Sequence, residues 1–189
     1  MTKNNENQEN IVTTNCRIKK DSQVMDIYSV YLTDSIVDQE NYIDLIHMLR
    51  QSECEDSFVL YLNNRGGLVS SGIDIIHAIQ NSKATIYTVM CGPVSSMAPL
   101  ILLQGQKIKV EKFSYMMFHD YSGGTCGKGN EMEAAVNNTK PFFNNLFKAV
   151  TKGFLTVKEQ KNILDGRDLY LNEKEVKRRL KKMGKLANE

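Results

Sequence analysis

Apolar and polar positions along the chain follow two alternating rhythms. Ile43, Ile46, His47 and Leu49 recur at helical spacing and predict a helix over Asn41–Arg50. Phe58 to Leu62 is a continuous apolar run of the kind a covered strand shows, and the turn residues Asn63 to Gly67 end it. Val69–Ser82 reads as a helix with Ile73, Ile76, His77 and Ile79 on one face, and Ala84–Met90 returns to strand composition. The same rhythm recurs with a helix over Ser96–Leu103, a short strand over Lys107–Val110 and an apolar strand over Tyr115–His119. Strands joined by helices predict an α/β fold with parallel pairing, in which residues at the strand ends gather on one edge. Glu131–Phe154 is a long helical segment that Pro141 should kink or divide. A last helix is predicted over Asn172–Lys182, with Lys177, Arg178, Arg179, Lys181 and Lys182 on a solvated face.

Composition adds bounds to this picture. The 189 residues, 41% of them hydrophobic, suit a single domain, which we place at 21–189 behind a polar N-terminal arm over 1–20. The formal net charge of +2 gives no global pull toward nucleic acid or an anionic membrane, and the longest apolar stretch is too short to span a bilayer. Met1 to Asn10 carries no apolar segment of the secretory kind, which predicts a cytoplasmic location. Cys16, Cys54, Cys91 and Cys126 are widely spaced and read as free thiols, Cys91 at a buried strand end. Neither they nor His47, His77 and His119 have the spacing of metal ligands, so no metal is expected.

Three residue types then suggest chemistry. A serine hydroxyl becomes a nucleophile when a base takes its proton. Ser95 and Ser96 stand where a strand gives way to a helix, after Cys91-Gly92-Pro93, and spacing alone does not choose between them. Either could instead cap the helix. His119 closes the run Tyr115 to Phe118, where an imidazole can be held rigidly, whereas His47 and His77 lie within helical patterns and read as structural. Asp168 follows in Gly166-Arg167-Asp168 as a candidate orienting acid. Gly66-Gly67 after a strand allows close approach to backbone amides, so the N–H groups of Gly67 and Met97 form a candidate oxyanion pair. The second glycine-rich turn, Ser122 to Gly127, lacks the GK[ST] of a phosphate loop.

Taken together, Tyr61 to Gly72, Gly92 to Ala98, Met116 to His119 and Arg167-Asp168 resemble the proteolytic subunits of the Clp protease family, over about Asp26 to Glu175. The resemblance implies a ClpP/crotonase-like spiral of ββα units with a protruding helical handle, here about 131–154. It implies a serine endopeptidase with Ser96 as nucleophile, His119 as base, Asp168 as acid, and Gly67 and Met97 as oxyanion donors. It further implies a homo-oligomer of stacked seven-membered rings that encloses a chamber for polypeptide substrates and is fed by an AAA+ unfoldase. No Walker motif occurs, so ATP belongs to that partner and no cofactor to this chain. Asn64-Arg65 replaces the family's usual Ser-Pro, Asp120-Tyr121 its Gln-Pro, and the basic segment Arg178 to Lys182 its usual ending. These departures suit a specialised member, a phage-type head-maturation protease being the nearest variant. A crotonase-like acyl-CoA enzyme and a catalytically silent ring subunit are the rival readings. Phe142, Phe143, Leu146 and Phe147 are expected to form an exposed apolar interface on the handle.

Overall fold

The structure, a computed structural model, describes residues 11–12, 16–22 and 26–187. Among the described residues, eight strands form one mixed sheet: β1 (Ile11–Val12), β2 (Cys16–Ser22), β3 (Asp26–Ile36), β4 (Ser57–Gly67), β5 (Thr85–Ser95), β6 (Lys107–Val110), β7 (Tyr115–Phe118) and β8 (Leu169–Asn172). Six α-helices among the described residues connect or flank them: α1 (Ile43–Gln51), α2 (Val69–Asn81), α3 (Met97–Leu102), α4 (Gly129–Val150), α5 (Val157–Leu164) and α6 (Glu173–Lys182). The spatial order is β1-β2-β3-β4-β5-β7-β8, with β6 also on β5. Strands β3, β4 and β5 run parallel through the α1 and α2 crossovers, and β7 and β8 pair antiparallel. Strand β5 serves two neighbours on one edge, β6 along Tyr87 to Met90 and β7 along Pro93 to Ser95.

This is the α/β architecture with a protruding helix that the motifs imply, but several boundaries differ. The arm expected over 1–20 is interrupted at Cys16, where β2 pairs in antiparallel register with β3 and satisfies backbone groups that a bare edge would leave open. Residues 1–10 and 13–15 lie outside the described residues. Asn63 to Gly67 does not end β4. It stays in the ladder, with Asn64 opposite Asp34 and Gly67 opposite Ile36 across a register shift. Strand β5 likewise runs through Cys91-Gly92-Pro93 to Ser95 instead of turning there. The apolar run of β4 is covered on one face only: Phe58, Leu60 and Leu62 are at most 1% exposed, whereas Val59 and Tyr61 alternate with them half-buried. Ile43, His47 and His77, assigned to apolar helix faces, are exposed on α1 and α2.

Helix α4 is continuous across Pro141 and not divided. Proline removes one backbone donor, and the carbonyl four residues earlier belongs to Asn137 on an exposed surface that water reaches. From Gly129 to Phe142 every residue of α4 is exposed, so this half projects from the body. Its apolar residues are sorted differently from expectation. Phe143 and Phe147 are buried, Phe147 edge-on to Phe118 at 6.1 Å, and they anchor the helix to the core, leaving Phe142, Met132 and Val136 as the exposed apolar side chains.

Helix α6 does not present a uniformly solvated basic face. Arg178, Lys181 and Lys182 are exposed, but Arg179 turns inward, its side chain 12% exposed, onto Glu159 and Glu175. Helix α5 and strand β8 had no apolar pattern strong enough to predict them. Their local signals are chemical: Thr156 and Glu159 form a reciprocal capping box at the start of α5.

Candidate active site

The site lies where β4, β5 and β7 end together. Ser96 is the single residue between β5 and α3, and it adopts φ 60°, ψ −112°, a conformation that a side chain disfavours. Three features hold it there. Ser95 pairs with Met117 of β7, the Ser96 N–H donates to the Met117 carbonyl at 3.0 Å, and every residue of α3 is buried. The Ser96 hydroxyl does not cap α3; it stands 2.7 Å from His119 Nε2. Ser95, by contrast, is buried within β5, and among the described residues the hydrogen bond to the His119 ring comes from Ser96. Of the two hydroxyls, that of Ser96 is the one placed against His119.

His119 is the first residue after β7 and is half-buried. For Nε2 to accept the Ser96 proton, the ring must carry its own proton on Nδ1, so a partner at Nδ1 decides the tautomer. The sheet register supplies a neighbour. Phe118 lies opposite Leu169 in the antiparallel β7–β8 pair, and continuing that register sets Asp168 opposite His119. Asp168 is exposed, and among the described residues no hydrogen bond joins its carboxylate to the imidazole. The backbone therefore brings the third residue alongside, while its side chain is not engaged.

The turn that delivers Asp168 is built by a helix terminus. After α5, Gly166 takes φ +92°, its N–H donates to the Ile163 carbonyl at 2.9 Å, and the Arg167 N–H donates to the Asn162 carbonyl at 3.0 Å. This paired closure is the Schellman arrangement, which needs a residue at ease in left-handed backbone. Asp168 follows immediately.

The double glycine is used unequally. A Cβ on Gly66 would lie 2.5 Å from Ser96 Cβ and 2.8 Å from the Met97 nitrogen, so Gly66 is what lets β4 approach the serine. Gly67 is pressed against β3, where an added Cβ would fall 2.1 Å from the Ile36 carbonyl oxygen. Gly67 and Met97 line the same cleft as Ser96 and His119. Met97 is the first residue of α3, whose leading amide has no partner within the helix. Asn64, 1% exposed, accepts the Gly66 N–H on Oδ1 at 2.8 Å and so shapes the glycine turn. That role was not anticipated, although Asn two residues before a turn glycine is a known signal for such a bond. Val69, Leu100, Phe143 and Phe147 form an apolar part of the cleft wall, and Asp120, Tyr121 and Ser122 line it beside His119.

The other reactive side chains stand apart. His47 and His77 do not reach the cleft, and Cys54, Cys91 and Cys126 are unpaired and exposed. Cys91 is thus not at a buried strand end: β5 continues past it and its thiol donates to the Leu62 carbonyl at 3.2 Å. Cys16 lies where side chains are not described. Among the described residues no group of His, Cys, Asp and Glu is placed to hold a metal ion, and no helix is long and apolar enough to cross a membrane.

A mixed sheet whose parallel strands end at a strained serine facing an imidazole defines a protein of the α/β class with the ClpP-type fold. The chain belongs to the Clp protease family, which it matches over residues 13–179. It is similar to the ATP-dependent Clp protease proteolytic subunit of Carsonella ruddii (strain PV), at 33% identity over 124 residues. That match covers 60% of this chain and 64% of the relative, so it spans less than two thirds of the relative's length.

Proposed function

We propose that the protein is a serine endopeptidase. Ser96 Oγ attacks the scissile carbonyl as His119 Nε2 takes its proton, and the imidazolium then donates that proton to the leaving amine. A water that gives its proton to the same nitrogen then attacks the acyl carbon, and that proton passes to Ser96 Oγ as the acyl bond breaks. The amides of Gly67 and Met97 face the developing oxyanion, where losing one donor costs about 10²–10³ in turnover. Asp168, once its carboxylate turns to His119 Nδ1, fixes the tautomer and stabilises the imidazolium. The observation that carries the reading is the 2.7 Å contact between Ser96 Oγ and His119 Nε2 at a backbone corner where serine is otherwise disfavoured. The apolar cleft wall favours substrates with an apolar side chain beside the scissile bond.

In this reading the chain works as a cytoplasmic homo-oligomer, rings stacked through the handle, with polypeptide fed by a separate AAA+ unfoldase that consumes the ATP. Exposed Met132, Val136 and Phe142 on the projecting half of α4 support an interface there. A stable monomer by native mass spectrometry at micromolar concentrations would remove the enclosed chamber.

The catalytic reading is tested by intact mass after fluorophosphonate treatment. The wild type gains one adduct, Ser96→Ala gains none, and Ser95→Ala labels like the wild type. Labelling that survives Ser96→Ala and disappears in Ser95→Ala reverses the assignment. The disengaged Asp168 favours one second reading, a catalytically silent ring subunit, for which no variant and no wild-type sample labels.

A further inference from the structure

We infer that Arg179 is a positioning residue for Asp168, holding the α5–β8 turn beside His119 by clamping the two ends of the segment that carries it. The inference rests on the Ser96–His119–Asp168 reading above.

Asp168 sits on a loop of chain that leaves α5 and returns through β8 into α6. Arg179 closes this loop. Its Nη2 donates to Glu159 Oε1 at 2.7 Å and its Nη1 to Glu159 Oε2 at 3.0 Å, a two-pronged bond between α6 and the first turn of α5. Its Nε donates to Glu175 Oε1 at 2.7 Å, which fixes the guanidinium on its own helix. Nη1 also reaches the Phe154 carbonyl at 3.2 Å, and the guanidinium carbon lies 5.8 Å from the Phe154 ring centre. All of these donors are therefore spent within the protein, and the planar fork leaves the side chain little freedom.

Glu159 has a second duty: it accepts the Thr156 N–H at 2.8 Å in the capping box that starts α5. The clamp thus fixes where α5 begins, and the Gly166 closure fixes how it ends. Gln160 adds a bond from α5 to the base of the handle, donating to Thr151 Oγ1 at 2.9 Å and the Lys148 carbonyl at 3.1 Å. On the far side of Asp168, only the short β8 ladder and the Asn172 cap of α6 intervene before the helix that bears Arg179. Nothing in the mechanism otherwise uses an arginine tied to two carboxylates 12% exposed on a short terminal helix. Acid strength supports the geometry, since the Arg179 bond holds the Glu159 carboxyl down to about 2, so the clamp stays charged wherever a histidine base works.

The test uses the full chain in its native assembly and four proteins: wild type, Asp168→Asn, the pair Glu159→Gln/Arg179→Met, and all three substitutions together. Neutralising both partners removes the clamp without stranding a buried charge. A displacement of about 1 Å at a catalytic group costs about 10²-fold in rate, so the paired variant should lose about 10²-fold in kcat and in fluorophosphonate labelling rate. KM should stay within about twofold, because the residues lining the cleft are untouched. In the Asp168→Asn background the same pair should change kcat by less than about twofold, since the group it positions is already gone. Equal losses in both backgrounds, or a loss in KM alone, would show a general structural role and overturn the inference. Should Asp168→Asn itself keep full activity, the triad reading fails instead. Arg179→Lys separates fork from charge: it keeps the cation but not the two-pronged bond, and should recover no more than part of kcat.

Discussion

Placing a methyl group on Gly66 tests whether the glycine turn shapes the nucleophile. Gly66 has φ +89°, so alanine there costs about 1–2 kcal/mol in backbone strain alone. Its Cβ would also lie 2.5 Å from Ser96 Cβ, 2.6 Å from the Ser95 carbonyl oxygen and 2.8 Å from the Met97 nitrogen. None of these is the free end of a flexible side chain, so the strand or the serine corner must move. Ordinary contact needs about 3.5 Å, which requires about 1 Å of displacement. Overpacking of this kind adds about 1–3 kcal/mol, for a total loss of about 2–5 kcal/mol. The same displacement is large compared with the tolerance of the 2.7 Å bond between Ser96 and His119, and about 10²-fold in rate is expected to go with it. The assay pairs thermal unfolding with the rate of fluorophosphonate labelling. Gly123→Ala is the control, since nothing lies within 4 Å of a Cβ there and its backbone is not left-handed. A Gly66→Ala protein that labels and melts like the wild type would refute the close approach of β4 to Ser96.

Two further outcomes follow from the same geometry. Arg179 holds the Glu159 carboxyl well below its ordinary 4.5, at about 2, so this group contributes stability that is present above its unfolded value and lost as pH falls from about 4.5 to about 2. Glu159→Gln should therefore cost about 2 kcal/mol near neutral pH, and the gap in melting temperature to the wild type should close toward pH 2; a gap independent of pH would contradict the charge assignment. Ser96→Gly should melt above Ser96→Ala by the equivalent of about 1 kcal/mol, because glycine accepts φ 60° without strain, and equal melting points would mean the corner relaxes.

Much of the architecture was legible because burial follows period. Ile76 and Ile79 of α2 and the apolar run Phe58 to Leu62 of β4 place their elements, although His77 proves exposed and the β4 run is covered on alternate residues only. Residues typed as breakers misled. Asn63 to Gly67 and Cys91 to Pro93 look like turns, yet parallel neighbours on both sides offer ladder partners that outweigh local preference. Helix α5 escaped because only Ile163 and Leu164 give it a buried apolar face, and its boundaries rest on a capping box and a glycine closure instead. Arg179 escaped for a different reason. A run of basic residues reads as solvated, and only the three-dimensional return of α6 onto α5 brings Glu159, twenty residues earlier, within reach.

The candidate site divides along the same line. Ser96 and His119 sit on elements that the core locks from both sides: β5 and β7 pair directly, α3 is buried throughout, and Phe118 packs on Phe147 beneath the histidine. Their contact follows from the sheet itself. Asp168 is held by register and by a turn at the surface, with an exposed side chain free to choose its rotamer. A carboxylate in water gains little from an imidazole until that imidazole becomes charged or solvent is excluded around both. In the proposed reading Asp168 is thus the member of the set whose engagement depends on its surroundings. The clamp proposed for Arg179 would limit how far its backbone can stray while leaving the last rotation of its exposed side chain open.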